Sequence, residues 1–182
     1  MEGNNEKAKE LLKEAGYENG QGIPTIELMY NSEGPHKDTC QIIQQNWEEI
    51  GINVELTNQE WAVFLNSRQQ GDYQIARHGW IGDYVDPMTF LDIWESNGGN
   101  NHSGYASAEY DELLASLSGV TDETERKEIY ENLENKLIDE DAVISPVYYT
   151  DKNSFVQNYV KGMQFPSFGS KYEFKWAYIQ GK

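Results

Sequence analysis

The sequence predicts an α/β fold in which a central mixed, largely parallel sheet is flanked by helices and followed by an irregular, β-rich tail. Two observations lead to this prediction. Segments that alternate apolar and polar residues recur between amphipathic helical segments, a pattern typical of βαβ units. Hydrophobic residues form 38% of the 182 residues, which is enough for a packed core.

The first half of the chain is predicted to alternate helices and strands. Cys40, Ile43 and Trp47 recur at helical spacing and give one helix an apolar face. Ile52 and Val54 alternate with polar neighbours, as in a half-buried strand. The predicted elements are a helix over residues 6–15, a strand over 25–30, a helix over 37–50, a strand over 52–56, a helix over 60–69 and a strand over 73–78.

The sequence changes character after His78. Residues 79–87 form a predicted loop that is rich in glycine, aromatic and acidic residues. Thr121 is the expected N-cap of a later helix, because a hydroxyl can accept a hydrogen bond from the first helical turn. The remaining predicted elements are a short helix over 88–94, helices over 107–117 and 122–139, and a strand over 144–150.

The tail from residue 151 is rich in aromatic side chains but shows no helical period. It is too aromatic to be disordered, yet the chain offers it no obvious partner. Its aromatic residues are Phe155, Tyr159, Phe165, Phe168, Tyr172, Phe174, Trp176 and Tyr178.

Charge and cysteine content exclude several classes of function. The chain carries 31 acidic and 14 basic residues, a net charge of −17, which would repel nucleic acid. Cys40 is the single cysteine, so neither an intrachain disulfide nor a four-cysteine zinc site can form. Residues 1–5 lack the features of a signal peptide, so we expect a cytosolic protein or a piece that begins downstream of its export signal.

Catalytic signatures are absent from the sequence. It contains no nucleophile elbow, zinc-protease motif, phosphate loop or calcium loop. We therefore expect no enzyme activity, no cofactor and no metal. The alternative from another class is a metal-dependent hydrolase that uses Asp83, Asp86 and a histidine, although their spacing fits no known calcium loop.

Short motifs along nearly the whole chain carry more specific information. The most specific is Ala-Arg-His-Gly-Trp-Ile-Gly-Asp-Tyr-Val-Asp-Pro at residues 76–87. The others are Ala8–Tyr17, Tyr30-Asn31, Trp47, Gly51–Val54, Asn58–Trp61 and Pro146–Tyr149. In this order and at these intervals they resemble the oligopeptide- and dipeptide-binding proteins of ABC importers, the family 5 extracellular solute-binding proteins.

The resemblance implies the C-terminal ligand-binding lobe of such a protein, with a periplasmic-binding-protein type II-like fold. Residues 1–150 would form this lobe, and residues 151–182 would return to an N-terminal lobe that is missing here. We therefore expect an extracytoplasmic protein, lipid-anchored at the cell surface or periplasmic. Its partners would be an oligopeptide ligand, the missing lobe and the membrane subunits of an ABC permease.

The resemblance also assigns peptide-binding residues. Asp83 would receive the peptide α-amino group, which is largely protonated at neutral pH. Arg77 would meet the peptide carboxylate, and Gly79 would pair its backbone with that of the peptide. The remaining candidates are His36 and Arg68 for peptides of other lengths, Trp61 and Trp80 as pocket aromatics, and Asn31 and Tyr84 as weaker members.

Other roles stay open for some of these residues. Asp83 could instead cap the helix that starts near Pro87, since acidic residues favour helix starts, or it could lie in solvent. Arg77 could be a surface or an ion-paired arginine. Trp61, and with less reason Trp80, could belong to the core. Within the family, the alternative function is a receptor of the same fold for a dipeptide, a signalling peptide, nickel or heme.

Overall fold

The computed structural model of the chain describes residues 4–151, 153–167 and 169–182. By its internal contacts the chain divides into two compact units, the first ending at Gly79 and the second beginning at Trp80. The predicted boundary at residue 150 lies within the second unit, so the assignment of residues 151–182 to a returning segment stays a prediction.

The first unit is built around a parallel three-stranded sheet. Its central strand is β1 (Ile26–Asn31), with β2 (Val54–Gln59) on one side and β3 (Ile75–Ala76) on the other. Helix α2 (His36–Glu48) connects β1 to β2, and α3 (Trp61–Gln70) connects β2 to β3, so every strand runs in the same direction. The α/β class is confirmed, whereas the mixed orientation is wrong for the described strands of this sheet.

The apolar alternation of the strands sets their register. Leu28 lies opposite Leu56 on one side and Ile75 on the other. The third strand is shorter than predicted, because only two residues pair before the Arg77 N–H donates a last hydrogen bond to the Met29 carbonyl at 2.8 Å. The core of this unit contains Leu28, Tyr30, Cys40 and Val54, with Ile43, Trp47, Ile52, Leu56 and Ile75 packed against them.

Side chains cap the N-termini of two helices in the first unit, and a glycine ends one of them. At the start of α1 (Asn5–Glu14), the Asn4 side chain accepts a hydrogen bond from a first-turn N–H at 2.9 Å. Glu60 caps α3 in the same way through the Ala62 N–H, also at 2.9 Å. Gly71 ends α3 in the left-handed conformation, as its sequence position predicts.

Two glycines bring the turn after α1 against the end of α2. Gly20 ends a 3₁₀ turn, Gly51 follows α2, and their φ angles are +74° and +93°. A Cβ on Gly20 would lie 1.8 Å from the carbonyl oxygen of Gly51. A residue with a side chain is therefore excluded from this crossing by both backbone conformation and space.

The second unit contains helices that pack around a separate core. Its helical elements are α4 (Met88–Leu91), a 3₁₀ turn (Asp92–Trp94), α5 (Ala108–Ser116), α6 (Glu123–Asn135) and a π-helical turn (Lys136–Glu140). Tyr110 is fully buried, and its hydroxyl donates to the Leu91 carbonyl at 2.8 Å. The core residues are Leu91, Ile93, Trp94, Tyr110, Leu114, Leu117, Leu133 and Leu137.

Two predictions for the second unit are wrong. Asp122, rather than Thr121, caps α6, because its carboxylate accepts hydrogen bonds from the N–H groups of Thr124 and Glu125 at 3.0 and 2.9 Å. An aspartate also ranks above a threonine as an N-cap. Residues 144–150 form no strand, because no described segment pairs with them.

The tail contains little regular structure. Strand β4 (Val160–Lys161) pairs antiparallel with β5 (Tyr178–Ile179), and one further bridge joins Gln164 to Glu173. This arrangement agrees with the predicted irregular, β-rich tail. Phe168, which the sequence places among the tail aromatics, lies outside the described residues.

Most of the described tail aromatics are open to solvent. Phe165 packs edge-on against Tyr172 with ring centroids 6.0 Å apart, so part of this aromatic content is packed within the tail. The aromatic side chains of the tail that remain exposed are Phe155, Phe165, Tyr172, Phe174, Trp176 and Tyr178. Over the described residues, no helix is long and apolar enough to cross a lipid bilayer.

Candidate functional site

Polar candidates of the first unit lie at the carboxyl ends of its strands. Asn31 is the last residue of β1, and Gln59 is the last residue of β2 directly opposite it. Arg77 follows β3 immediately. Because ligands of open parallel sheets bind at the carboxyl ends of the strands, Asn31 and Arg77 occupy the expected edge.

Basic side chains near this edge interact electrostatically with one another. His36 begins α2, and its pKa is lowered below 6.5 first by burial and then by the positive charge of Arg77. The pKa of Arg68 is also lowered, mainly by burial and further by Arg77, although Tyr73 acts in the opposite direction. His36 is therefore neutral at pH 7, and the cationic character comes from the two arginines.

The two strand-end amides are partly unsatisfied. Asn31 is buried, and its Nδ2 donates to the Glu33 carbonyl at 3.4 Å. Among the described residues, neither the Asn31 Oδ1 nor the Gln59 Oε1 accepts a hydrogen bond, although both atoms are buried. Buried acceptors are costly unless a donor reaches them, so this edge favours a ligand or water that brings N–H or O–H groups.

Helix α3 carries an aromatic and basic face. The Trp61 ring stacks on Phe64 with centroids 6.0 Å apart, and the Arg68 guanidinium lies 5.8 Å from the centroid of Phe64. Phe64 is fully buried, whereas Trp61 is 38% exposed. Trp61 therefore lies at the margin of the packed interior, and its assignment as a pocket aromatic stays a prediction.

Gly79 provides space for the Arg77 side chain. A Cβ at position 79 would lie only 3.3 Å from the Arg77 Nη2. Any side chain here would displace the guanidinium by a few tenths of an ångström. The structure thus gives Gly79 a steric role beside the predicted backbone pairing with peptide, which stays a prediction.

Asp83 is presented on the loop before α4. Its backbone N–H donates to the Thr89 Oγ1 at 3.0 Å, whereas its carboxylate is exposed and makes no hydrogen bond to any described residue. Pro87 is the N-cap residue of α4, and the Asp86 Oδ1 accepts from the first helical N–H, that of Met88, at 2.9 Å. The capping part of the alternative for Asp83 is therefore wrong, whereas its exposed carboxylate agrees with the part in which Asp83 lies in solvent. A carboxylate in this position is open to a ligand.

The side chains of Trp80 and Tyr84 make more contacts within the second unit than the side chain of Asp83. Trp80 packs against the core of the second unit, and its buried Nε1 has no acceptor among the described residues. The Tyr84 hydroxyl donates to the Asp92 Oδ2 at 2.8 Å. Burial and this hydrogen bond raise the pKa of Tyr84 to about 12, so the hydroxyl stays protonated and its ring is the part left to contact a ligand.

A group that sequence reasoning missed holds the base of this loop. The Asp86 carboxylate accepts hydrogen bonds from the Arg126 Nη2 at 2.9 Å and from the Tyr130 hydroxyl at 2.5 Å. Arg126 also donates to the Tyr130 hydroxyl, and its guanidinium lies 5.4 Å from the Tyr130 ring centroid. The separation of 40 and 44 residues leaves no local pattern from which this cluster could be read.

The family can be decided once these features are compared with known proteins. Residues 2–102 match the model for the middle part of the bacterial extracellular solute-binding proteins, family 5, which is more than half of the chain. The chain belongs to family 5 of the bacterial extracellular solute-binding proteins. The family is one of solute-binding proteins rather than enzymes, and the resemblance found in the sequence motifs is confirmed.

Curated relatives in family 5 include oligopeptide-binding proteins. The chain is 40% identical over 159 residues to the periplasmic oligopeptide-binding protein OppA of Salmonella typhimurium, which covers 87% of the chain and 29% of the relative. It is 38% identical over 172 residues to the oligopeptide-binding protein OppA of Bacillus subtilis, covering 93% of the chain and 31% of the relative. The chain thus spans about a third of the length of these family members.

Solved structures of the family share the fold. The substrate-binding domain of an oligopeptide ABC transporter from Bacillus anthracis matches all of the chain and 36% of its own length, with a TM-score of 0.83 and 29% identity. Haemophilus influenzae OppA in complex with RPPGFSPFR matches 87% of the chain and 31% of its own length, with a TM-score of 0.75 and 35% identity. The predicted fold class is confirmed by this similarity.

The metal-dependent hydrolase alternative is not supported by the structure of this family 5 chain. Asp86, one of its proposed ligands, is already bonded to Arg126 and Tyr130. Within the part of the chain that the structure describes, no three His, Cys, Asp or Glu side chains lie close enough together to hold a metal ion.

Proposed function

We propose that this chain supplies peptide-binding residues of a receptor that captures extended oligopeptides outside the cytoplasm and delivers them to an ABC importer. The observation that carries the proposal is the exposed carboxylate of Asp83, which no described residue neutralises, in a chain 40% identical to an oligopeptide-binding relative. Asp83 is the residue to which the family resemblance assigns the peptide amino terminus.

Charge explains why a carboxylate suits this task. A peptide α-amino group is largely protonated at neutral pH and carries three donors. When a receptor closes over a peptide, this ammonium leaves water and needs a formal counter-charge, because an unpaired buried ion is costly. A charge-assisted bond to Asp83 would contribute roughly 1.5–3 kcal/mol.

The first unit offers complementary chemistry for the rest of the peptide. Arg77, reinforced by the charge of Arg68, is suited to a terminal carboxylate. The unsatisfied Oδ1 of Asn31 is suited to a peptide N–H, and neutral His36 can donate or accept a hydrogen bond. The side-chain contacts would come from Trp61, Trp80 and Tyr84, and the backbone contact from Gly79.

The remaining parts of the proposal concern the whole receptor. An N-terminal lobe of the same protein would supply the other wall of the binding groove, and residues 151–182 would return to it. The receptor would be periplasmic or lipid-anchored at the cell surface, and it would dock on the membrane subunits of the permease. Relatives of similar sequence are named as periplasmic, which supports an extracytoplasmic location.

The test crosses Asp83→Asn with acetylation of the peptide amino terminus. Calorimetry on the receptor that contains this chain measures Kd for tetra-alanine and for N-acetyl-tetra-alanine. Asparagine keeps the shape but loses the charge, so free-amino peptide should lose roughly 30- to several-thousand-fold in affinity. Acetylated peptide should bind wild type poorly and lose little more in the variant, which gives a large coupling in the double-mutant cycle.

The matched control is Asp72→Asn, which removes an exposed aspartate of the first unit. Its effect on both peptides should be negligible, since screened surface charges contribute little. A coupling near zero between Asp83→Asn and acetylation would show that Asp83 does not hold the amino terminus, and the proposed peptide site would then be rejected.

A further inference from the structure

The loop that presents Asp83 is fastened at its far end by side chains of α6. Asp86 Oδ2 accepts from the Arg126 Nη2 at 2.9 Å, and Asp86 Oδ1 accepts from the Tyr130 hydroxyl at 2.5 Å. The same Oδ1 accepts from the Met88 N–H at 2.9 Å. One carboxylate therefore ties the loop both to α6 and to the start of α4.

Arg126 is itself held in place by the backbone between α5 and α6. Its Nη1 donates to the Val120 carbonyl at 3.1 Å and to the Leu117 carbonyl at 3.4 Å. These bonds leave Nη2 directed at Asp86 and Tyr130. The guanidinium is thus held in one orientation by acceptors on both of its terminal nitrogens.

Short hydrogen-bonded connections link Asp86 to Asp83. The Asp86 N–H donates to the Tyr84 carbonyl at 3.1 Å, which closes a tight turn next to Asp83. The Thr89 N–H donates to the Asp86 carbonyl at 3.3 Å, and the Thr89 hydroxyl accepts from the Asp83 N–H at 3.0 Å. Two hydrogen bonds, both through Thr89, therefore connect the Asp83 backbone to the backbone of Asp86, whose carboxylate is anchored.

The charge state of Asp86 suits an anchor. Partial burial alone would raise the pKa of Asp86, but hydrogen bonds from Tyr130, the Met88 N–H and Arg126 outweigh it and lower the pKa. The carboxylate is consequently ionised at neutral pH and acts only as an acceptor. Its Arg126 partner is about three-quarters buried, with 26% of the side chain exposed, so solvent screens this pair less than an exposed one.

We infer that Asp86, Arg126 and Tyr130 are positioning residues that preorganise the Asp83 carboxylate for the amino terminus of a peptide. None of the three needs to contact the peptide. They act by removing alternative conformations of the loop before binding, so that ordering it does not oppose association. This inference rests on the proposed function, since it assigns these residues to the same ligand group.

The test measures whether the anchor affects the peptide amino terminus selectively. Arg126→Met should weaken binding of free-amino tetra-alanine about 10-fold, and Tyr130→Phe, which removes one hydroxyl, about 3-fold. Binding of N-acetyl-tetra-alanine should change by less than about twofold in both variants. In an Asp83→Asn background, Arg126→Met should add less than about twofold for either peptide.

Two further variants separate positioning from simple loss of structure. Lys127→Met lies on the same helix and removes a lysine that pairs with Glu131 in solvent, so it should leave both affinities unchanged. Arg126→Lys keeps a cation near Asp86 and should recover part of the affinity for the free-amino peptide. Tyr130→Phe keeps the test available if Arg126→Met does not fold.

Equal losses for both peptides, or a lower Tm with unchanged affinities, would overturn the inference and leave the cluster a structural one. If Asp83→Asn distinguishes the two peptides but Arg126→Met and Tyr130→Phe do not, this inference alone fails. If Asp83→Asn itself does not distinguish them, the proposed function fails and the inference falls with it.

Discussion

The first unit holds Arg77 at the end of a parallel strand, whereas the second unit holds Asp83 on a loop that has no strand partner. In the first case, backbone hydrogen bonds between strands define where the functional group lies. In the second case, a few side chains do so, chiefly Asp86, Arg126 and Thr89. The two candidate surfaces also differ in sign, basic in the first unit and acidic at Asp83.

This difference concerns how each surface tolerates substitution. A strand ladder depends on backbone groups that every residue except proline supplies, so its geometry survives many side-chain changes. A loop fixed by side chains depends on their chemical identity, and a single replacement removes several hydrogen bonds together. We therefore expect the backbone to determine the geometry of the first surface. Individual polar side chains should determine the geometry of the second.

The largest expected effect breaks the framework of the first unit. Gly20→Ala would place a Cβ 1.8 Å from the Gly51 carbonyl oxygen at a φ of +74°. Left-handed strain and overpacking together should lower the free energy of unfolding by about 2–5 kcal/mol. Urea denaturation followed by amide hydrogen exchange in residues 5–79 measures the loss.

The control for this prediction is Gly71→Ala. Gly71 has a similar φ of +71°, but a Cβ there would meet nothing within 4 Å. Only the conformational strain remains, so its cost should be about 1–2 kcal/mol. Equal losses at both positions would show that the crossing of Gly20 and Gly51 is not the tight contact described.

An intermediate effect on peptide affinity tests whether the basic surface of the first unit recognises a peptide carboxylate through Arg77. Arg77→Met should weaken binding of tetra-alanine with a free carboxylate by roughly 10- to 150-fold, because a charge-assisted bond is lost. C-terminally amidated tetra-alanine should lose much less. Calorimetry on the receptor with both peptides measures the coupling between Arg77 and the carboxylate.

Lys37→Met removes an exposed cation from the neighbouring turn of α2 and should affect neither peptide. If Arg77→Met weakens the amidated peptide as strongly as the free acid, Arg77 does not recognise the carboxylate.

The smallest expected effect is the pH dependence of the folding stability of the first unit. Burial and then Arg77 lower the pKa of His36 below 6.5, so the folded state binds a proton less readily than the unfolded chain. Stability should be full above pH 6.5 and should decrease as the pH falls from there toward the native pKa. Thermal unfolding at several pH values should show this slope in wild type and not in His36→Gln. A slope of the same size in the variant would assign it to other groups.

The sequence predicts the regular parts of this fold well because their signals are local. The apolar spacing of Cys40, Ile43 and Trp47 places α2, which runs from His36 to Glu48. The alternation around Val54 places β2. The prediction fails where a strand depends on a partner that is distant in sequence. Residues 144–150 have a strand-like composition but no partner strand among the described residues.

The candidate site is predictable only in part. Its motif identifies Asp83, and the structure shows an exposed carboxylate there. The same motif does not show that Arg126 and Tyr130 hold Asp86, because those contacts join residues that are 40 and 44 positions apart. Gln59 was also missed, since only the strand register reveals that it ends opposite Asn31.

The exposed aromatic side chains of the tail have a consequence for the colloidal behaviour of the chain. Phe155 is fully exposed, and Phe174 and Trp176 are 63% and 62% exposed, which favours contact between copies. A net charge of −17 opposes that contact through electrostatic repulsion. The repulsion has a range of about 10 Å at 0.1 M salt and about 3 Å at 1 M, whereas aromatic contact does not weaken with salt. Ionic strength therefore sets the balance between dispersed and self-associated chains.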